Sequence, residues 1–470
     1  MNNAHWLKTR EIVERIIIKG DLILETPTHF GGGDKDGLMD MPLALDPLEG
    51  KALLTGSSLA GALRSYLRER EKGYGKTGSK DSIYKSLFGN QEDSEGEQSF
   101  IIVYDSRIEK PNVELRDGVK IDPKTRTAKN KKKFDFELIE AGTSFPITIE
   151  LLIQENRRDF LMKGLAVALQ GLEKGEIPLG FRKRRGFGQC RVNEWKVNRY
   201  DLTKPDGLIG WLTNDIAGQK KGEKISSLLS VDETELDQRE IFTLDAFFSL
   251  DSPILIGSSS DENNAPDSVH LHSKRNKKSV PIISGTAMAG ALRSRALRIA
   301  KTLNNNGNAK KIVEEIFGSD IEFPTDKAYA SKLIINENEI KKPLTHVQSR
   351  VKIDRFTGGA YPGALFNEQP IFGKDDTGVQ LKIQIQQPNK SQIGLMLLLL
   401  KDLWTGDLPI GGKSSIGRGR LRGKKAILIY RQNNDIQQEW TIKGNDELEI
   451  TGDKMQLENF VTCFCEEMQK

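Results

Sequence analysis

Two short stretches concentrate the side chains that could act on a polyanion. "GFRKRRGFG" at 180–188 sets Arg182, Lys183, Arg184 and Arg185 between glycines, and "GGKSSIGRG" at 411–419 does the same with Lys413 and Arg418, followed by Arg420. Glycine lets a backbone approach closely, and guanidinium and ammonium groups pair with phosphate. Both loops therefore suit a nucleic-acid backbone better than a mononucleotide. A Walker A reading of "GDLPIGGKSS" fails because Lys413 is displaced by one residue, and the segment after it reads as a strand where a P-loop needs a helix. Two further stretches, "GSSLAGALRS" at 56–65 and "GTAMAGALRS" at 285–294, open predicted helices with Gly56, Ser57 and Ser58, and with Gly285 and Thr286. The N–H groups and dipole at such a start suit a phosphate. Taken by itself, the motif is better accounted for by ordinary capping by Ser57 and Thr286. Arg64 and Arg293 lie off the apolar stripe of those helices.

These stretches belong to a longer duplicated layout. "TPTHFGGG" (26–33) matches "SPILIGSS" (252–259), "SLFGN" (86–90) matches "EIFGS" (315–319), and "GVKIDPKT" (118–125) matches "RVKIDRFT" (350–357). "IPLGFRKRRGFGQ" (177–189) matches "LPIGGKSSIGRGR" (408–420), and across all blocks the offset stays between 226 and 232 residues. The chain is read as two copies of one domain, 1–200 and 241–430, joined by a linker at 201–240 and followed by a C-terminal extension at 431–470.

In each copy an apolar strand (15–25, 241–250) leads into a glycine-rich loop containing acids, then the helix at Gly56 or Gly285. Strands at 100–106 and 145–153, or 379–386 and 424–430, flank a second helix near 156–172 or 389–404. Strand–helix–strand taken twice predicts an α+β fold of tandem ferredoxin-like (RRM-like) domains, an antiparallel sheet with two helices on one face.

Composition narrows the class. The 470 residues carry 70 basic and 66 acidic side chains, a net charge of +4, with the positive charge gathered in patches such as "KNKKK" (129–133) and "KRNKK" (274–278). That pattern favours a polyanion-binding face. The N-terminus has no signal-peptide pattern, and "IGLMLLLL" (393–400) is too short for a membrane span, so no membrane partner is expected. Three cysteines, Cys190, Cys463 and Cys465, cannot build a disulfide framework and fit a reducing cytoplasm. Cys463-Phe-Cys465 is short of ligands for zinc. His270 and His272 alternate as strand neighbours would and, with no carboxylate at ligand spacing, read as surface polar residues.

The order of these motifs, with "VKIDRFTGGAYPGALFNE" (351–368) the most specific, resembles the repeat-associated mysterious proteins, or RAMP proteins. More narrowly it is similar to the Cas backbone subunits of type III CRISPR effector complexes, and the tandem layout resembles the fused subunits of type III-D variants. The resemblance implies that each domain grips a segment of CRISPR RNA and extends an inserted β-hairpin thumb that kinks the guide–target duplex. Other Cas subunits would be partners, and the cationic, glycine and hydroxyl residues named above would bind RNA. It also implies a catalytic aspartate in the loop before each G-S-S-type helix, here Asp40 and Asp267, with Asp34, Asp36 and Asp261 as nearby competitors. Pro42 follows Asp40, whereas Asp267 has no such proline and its loop carries a lysine-rich insertion. Each aspartate would hold a divalent cation, Mg²⁺ or Mn²⁺, or position target RNA, so that a ribose 2′-OH attacks the adjacent phosphate. A non-catalytic RNA-binding subunit and a guide-processing endoribonuclease are the alternatives. The latter would normally rely on a histidine or a Lys/Tyr constellation, and His29 has Leu255 as its counterpart, so no repeated histidine supports it.

Overall fold

A computed structural model of the chain describes residues 11–32, 40–79, 81–90, 96–122, 125, 127–232, 236–258, 266–304, 308–319, 328–432, 436–444 and 447–469. The first repeat runs β1 (Glu14–Leu24), α1 (Gly56–Lys72), α2 (Ile83–Phe88), β2 (Ile101–Val103), β3 (Val113–Ile121), β4 (Ala128–Ile139), β5 (Ser144–Ile153), α3 (Arg158–Glu173), β6 (Cys190–Asp201), α4 (Pro205–Leu212), β7 (Lys220–Gly222) and α5 (Ile225–Leu229). Its antiparallel sheet has the order β2-β5-β1-β6-β7. Alternation in β1 buries Ile16, Ile18, Leu22 and Leu24 on one face, where Leu59, Leu63 and Leu67 of α1 and Leu161, Leu165 and Leu169 of α3 meet them.

The second repeat runs β8 (Ile241–Leu250), α6 (Gly285–Leu303), α7 (Asn308–Phe317), β9 (Leu333–Ile335), β10 (Gln348–Ile353), β11 (Ala360–Gln369), β12 (Gly378–Gln386), α8 (Lys390–Trp404), β13 (Leu421–Gln432), β14 (Ile436–Lys443), β15 (Glu449–Thr451) and α9 (Lys454–Gln469). Here β12 pairs with both β9 and β8, and β13, β14 and β15 follow β8. The four repeat strands thus fall in the same spatial order in both copies, the ferredoxin-like arrangement. Each copy inserts one antiparallel hairpin between its second and third repeat strands, β3–β4 and β10–β11.

Two stretches read as lying outside the repeats are packed onto them. Residues 201–240, expected as a linker, add β7 to the edge of the first sheet through Trp195↔Gly222 and Val197↔Lys220. Ile225 and Leu229 of α5 are fully buried in the first core. Residues 431–470 make the corresponding addition to the second sheet with β14 and β15, and α9 buries Leu457, Phe460, Phe464 and Met468 in the second core. Ile225, Leu228 and Leu229 anchor the first segment, whereas Trp440 and Ile442 join the four α9 residues in anchoring the second, and the polar residues between them hid both.

The chain divides into two compact units. The first comprises Met1–Glu114, Glu137–Lys183 and Phe187–Arg239, and the second Leu115–Phe136, Arg184–Gly186 and Glu240–Lys470. Within the second unit Arg116 and Arg275 both bind the fully buried carboxylate of Glu337, each with a contact at 3.1 Å. Also within it, Arg185 donates to the carbonyls of Leu333 (2.9 Å) and Phe317 (3.3 Å). These bonds explain why two pieces of first-repeat sequence belong to the second unit.

Candidate nucleic-acid interface

The basic loops are held by the same backbone wiring in each unit. In the first, Gly188 N–H donates to the Pro27 carbonyl (3.2 Å), Leu179 N–H to Gly188 (2.9 Å) and Phe181 N–H to His29 (3.0 Å). In the second, Gly419 donates to Pro253 (2.9 Å), Ile410 to Gly419 (2.8 Å) and Gly412 to Leu255 (2.7 Å). Gly180 and Gly411 adopt φ of 82° and 87°, and a Cβ on either would lie 2.4 or 2.5 Å from the carbonyl oxygen of His29 or Leu255. Arg182 and Lys413, at the matched position, are left-handed without being glycine, with φ of 50° and 60°. Such strain persists where surrounding bonds hold it.

In the first unit the loop walls a groove of about 490 Å³, lined by His29, Gly31, Thr55, Ser57, Ser58 and Lys183 among others. Ser57, Ser58 and Lys183 are exposed there. The helix starts differ from expectation. Thr55 caps α1 by accepting from Ser58 N–H at 3.3 Å, and Ser284 caps α6 by accepting from Ala287 N–H at 3.3 Å, so Ser57 and Thr286 are not the caps. Gly56 N–H donates to Asp105 Oδ1 at 2.7 Å and is not available to a phosphate. A Cβ on Gly56 would stand 2.1 Å from the Val103 carbonyl oxygen, and one on Gly285 would stand 2.5 Å from that of Ile335. These glycines exist to seat a helix start on a strand end.

The remaining cations divide into outward and inward groups. Lys183 and Arg420 are exposed, Arg184 is half-buried, and Arg182 lies 5.1 Å over the Phe181 ring, where burial lowers its pKa. Arg64 lies 5.9 Å over Tyr84 of α2, and Arg293 stands 4.0 Å from Glu314 of α7, so this matched pair faces the next helix of its own repeat. Arg185 is turned to the carbonyls already described. Arg418, whose side chain is 4% exposed, pairs with the buried Glu368 at 2.7 Å, and Lys413 and Arg350 converge on the same carboxylate. Burial first, then Arg418 and Arg350, lower the pKa of Lys413. Arg418 therefore faces a carboxylate and not solvent, which corrects its reading as a phosphate contact. No sequence pattern singled out Glu368 beyond its place at the end of "VKIDRFTGGAYPGALFNE".

Asp40 and Asp267 are both exposed. The residue after Asp40, Met41, accepts from Glu137 N–H of β4 at 3.3 Å, and the residue after Asp267, Ser268, pairs with Glu368 of β11. Glu137 and Glu368 share the 231-residue offset of the basic loops. Asp267 Oδ2 accepts from Asn367 N–H at 2.8 Å. Asp34, Asp36 and Asp261 lie outside the described residues. Among the described residues no group of three or more His, Cys, Asp or Glu side chains could hold a metal ion. The fit to a divalent cation is thus limited to one that keeps most of its water and takes one or two protein carboxylates, as hydrated Mg²⁺ does.

His270 corrects its surface reading. It is 1% exposed, Nδ1 accepts from Ile256 N–H at 3.2 Å, and Nε2 donates to the Ile282 carbonyl at 2.9 Å. Burial pushes its pKa down to about 4.

No helix among the described residues is long and apolar enough to cross a membrane. Two curated relatives are both named CRISPR system Cms endoribonuclease Csm3. The one from Streptococcus thermophilus is 28% identical over 223 residues, 42% of this chain and 96% of the relative. The one from Methanocaldococcus jannaschii is 23% identical over 243 residues, 48% of this chain and 94% of the relative. Each is therefore matched almost end to end by about half of this chain. The signature of the RAMP superfamily matches residues 21–191 and again residues 247–422, and with one match per repeat the chain belongs to the RAMP superfamily as two copies of its domain in tandem.

Proposed function

We propose that the chain is a backbone subunit of a type III CRISPR–Cas effector complex that holds CRISPR RNA along its two basic glycine loops and cuts complementary target RNA. The duplicated loop wiring carries this reading. The same hydrogen bonds hold a left-handed basic residue at the matched position of each loop, Arg182 and Lys413, the latter resting on Glu368, in a chain whose relatives are named as endoribonucleases. Lys183 and Arg420 supply exposed positive charge, and Ser57 and Ser58 supply hydroxyl donors on the groove that Lys183 lines. Arg185 and Arg418 hold the loops in shape.

Asp40 and Asp267 take the catalytic role. A single carboxylate is not an acid–base pair, so its work is to orient a ribose 2′-OH in line with the adjacent phosphate. The 2′-oxygen forms a bond to phosphorus as the bond to the 5′-oxygen breaks. The hydroxyl proton passes to solvent, the leaving oxygen takes one up, and the products end in a 2′,3′-cyclic phosphate and a 5′-hydroxyl. Lys183 stabilises the charge that grows on the phosphoryl oxygens. Mg²⁺ or Mn²⁺ held at Asp40 and Asp267 would supply further neutralisation of that charge.

The test is a complex reconstituted with guide RNA and a matched target. Two cuts one repeat apart are expected, each blocked by a deoxyribose just 5′ of the scissile phosphate, and both stopped by EDTA. Cleavage that continues past the deoxyribose would overturn the 2′-OH chemistry, and a complex that binds target without cutting it would leave a structural subunit.

A further inference from the structure

One polar side chain in the first unit's groove is not accounted for by the duplicated pattern. His29 lines the groove yet is only 3% exposed, and its Nδ1 stands 2.8 Å from the Glu137 carbonyl oxygen. A carbonyl can only accept, so Nδ1 carries the proton and Nε2 presents a lone pair. The ring meets Phe181 edge-on, at 5.8 Å between centroids and 71° between planes, which fixes its orientation. Nε2 meets no hydrogen-bond donor among the described residues. Gly31 stands directly against it, where a Cβ would be 2.9 Å from Nε2. The missing side chain at Gly31 leaves the lone pair open towards the groove. An acceptor held in one orientation and open to the groove offers a fixed place for a donor on whatever fills it.

The matched residue in the second unit makes the contrast. Leu255 is also 3% exposed, and its carbonyl binds the basic loop through Gly412 as that of His29 binds it through Phe181. The backbone task is therefore complete with a leucine, and the imidazole adds something other than loop support. On the reading that the groove carries RNA, the donor that separates this polymer from DNA is the ribose 2′-OH.

We infer that His29 Nε2 accepts a hydrogen bond from one ribose 2′-OH, so that the first unit selects ribose over deoxyribose at a single nucleotide and the second unit does not. His29 acts here as a specificity residue and touches no reacting atom.

The experiment uses the full chain with a labelled single-stranded RNA, the all-DNA oligonucleotide of the same sequence, and a set of RNAs each carrying one 2′-deoxynucleotide. Wild type should show one position at which removing the hydroxyl weakens binding by about three- to tenfold, the effect of one neutral hydrogen bond. His29→Leu should lower RNA affinity by that same factor, show no further loss at that position, and leave DNA affinity unchanged. The second unit shows that leucine packs at this place in the fold. His29→Gln, whose amide oxygen still accepts, should recover part of the preference. Equal losses for RNA and DNA in His29→Leu, an undiminished single-position penalty, or no such position in wild type would each overturn the inference. The RNA-groove reading fails separately, if Lys183→Ala changes neither the affinity nor its salt dependence.

Discussion

The two copies agree in backbone and differ in side-chain chemistry. The six hydrogen bonds that seat the basic loops correspond one to one between the units. Around them, the first unit places His29, two serines and Lys183, whereas the second places Leu255 and turns Lys413, Arg350 and Arg418 onto one buried carboxylate, Glu368. Glu137, the first unit's counterpart, instead accepts from Leu43 N–H at 3.1 Å. Duplication preserved the frame that presents a loop, and each copy then changed what the loop presents.

The largest effect should come from the aspartates. Asp40→Ala is expected to slow its own cut by at least about a hundredfold while leaving target binding and the other cut intact, as loss of a positioned catalytic group does. Asp267→Ala should do the same at the second cut. The two cuts, read on one gel, break the comparison if Asp40→Ala leaves every product in place. They sharpen it if only Asp267→Ala is silent, because the second copy would then grip RNA without cutting it.

The repeat and the strand order were legible in the sequence because they rest on apolar periodicity and glycine spacing, which are local, whereas the hairpins were expected only from the family resemblance. The direction of each arginine was not. Arg185 and Arg182 sit in one tetrapeptide of like charge, and only the carbonyls of Leu333 and Phe317 decide that Arg185 turns inward. Gly56 looked like a phosphate cradle for a similar reason. Its N–H partner, Asp105, is 49 residues away. His270 was misread because alternation says nothing about which face of a strand is covered.

The buried Arg116–Glu337–Arg275 triad ranks next. Glu337→Gln should destabilise the chain by about 3–5 kcal/mol, the cost of breaking a buried ion pair from one side. Burial pushes the Glu337 pKa up, but Arg116 and Arg275 outweigh it and hold it below the usual carboxylate value. The stability this carboxylate contributes is therefore present above the unfolded pKa, about 4.3, and is lost as pH falls through the lower folded value. Wild type should lose stability on acidification across that window more steeply than Glu337→Gln. Identical pH profiles would remove the triad from the account.

His270 marks the second unit in a milder pH range. Its folded pKa of about 4 lies below the ordinary histidine value of 6.5, so the unfolded chain binds the extra proton first. The stability of the neutral, buried form is complete above pH 6.5 and is lost progressively down to pH 4, by about 3 kcal/mol in all. His270→Gln removes the titrating group and should flatten the fall in melting temperature over that window. A slope equal to that of wild type would mean that other groups carry the acid sensitivity.

The smallest effect separates cations that face outward from those that face inward. Lys183 is exposed on the groove, and a phosphate contact on single-stranded RNA contributes about 0.7 to the slope of log affinity against log salt. Lys183→Ala should reduce the slope by about that amount and weaken binding equally across sequences, since phosphate contacts carry no base information. Arg418→Ala makes the opposite prediction. It removes a partner of the buried Glu368, so the melting temperature should fall while the salt slope of the folded protein stays near that of wild type. If Arg418→Ala flattened the slope as much as Lys183→Ala, the division of cations into grip and support would be wrong. Arg418 would then have to leave Glu368 when RNA arrives, which makes the buried carboxylate a stand-in for phosphate and the second copy a site that opens only on binding.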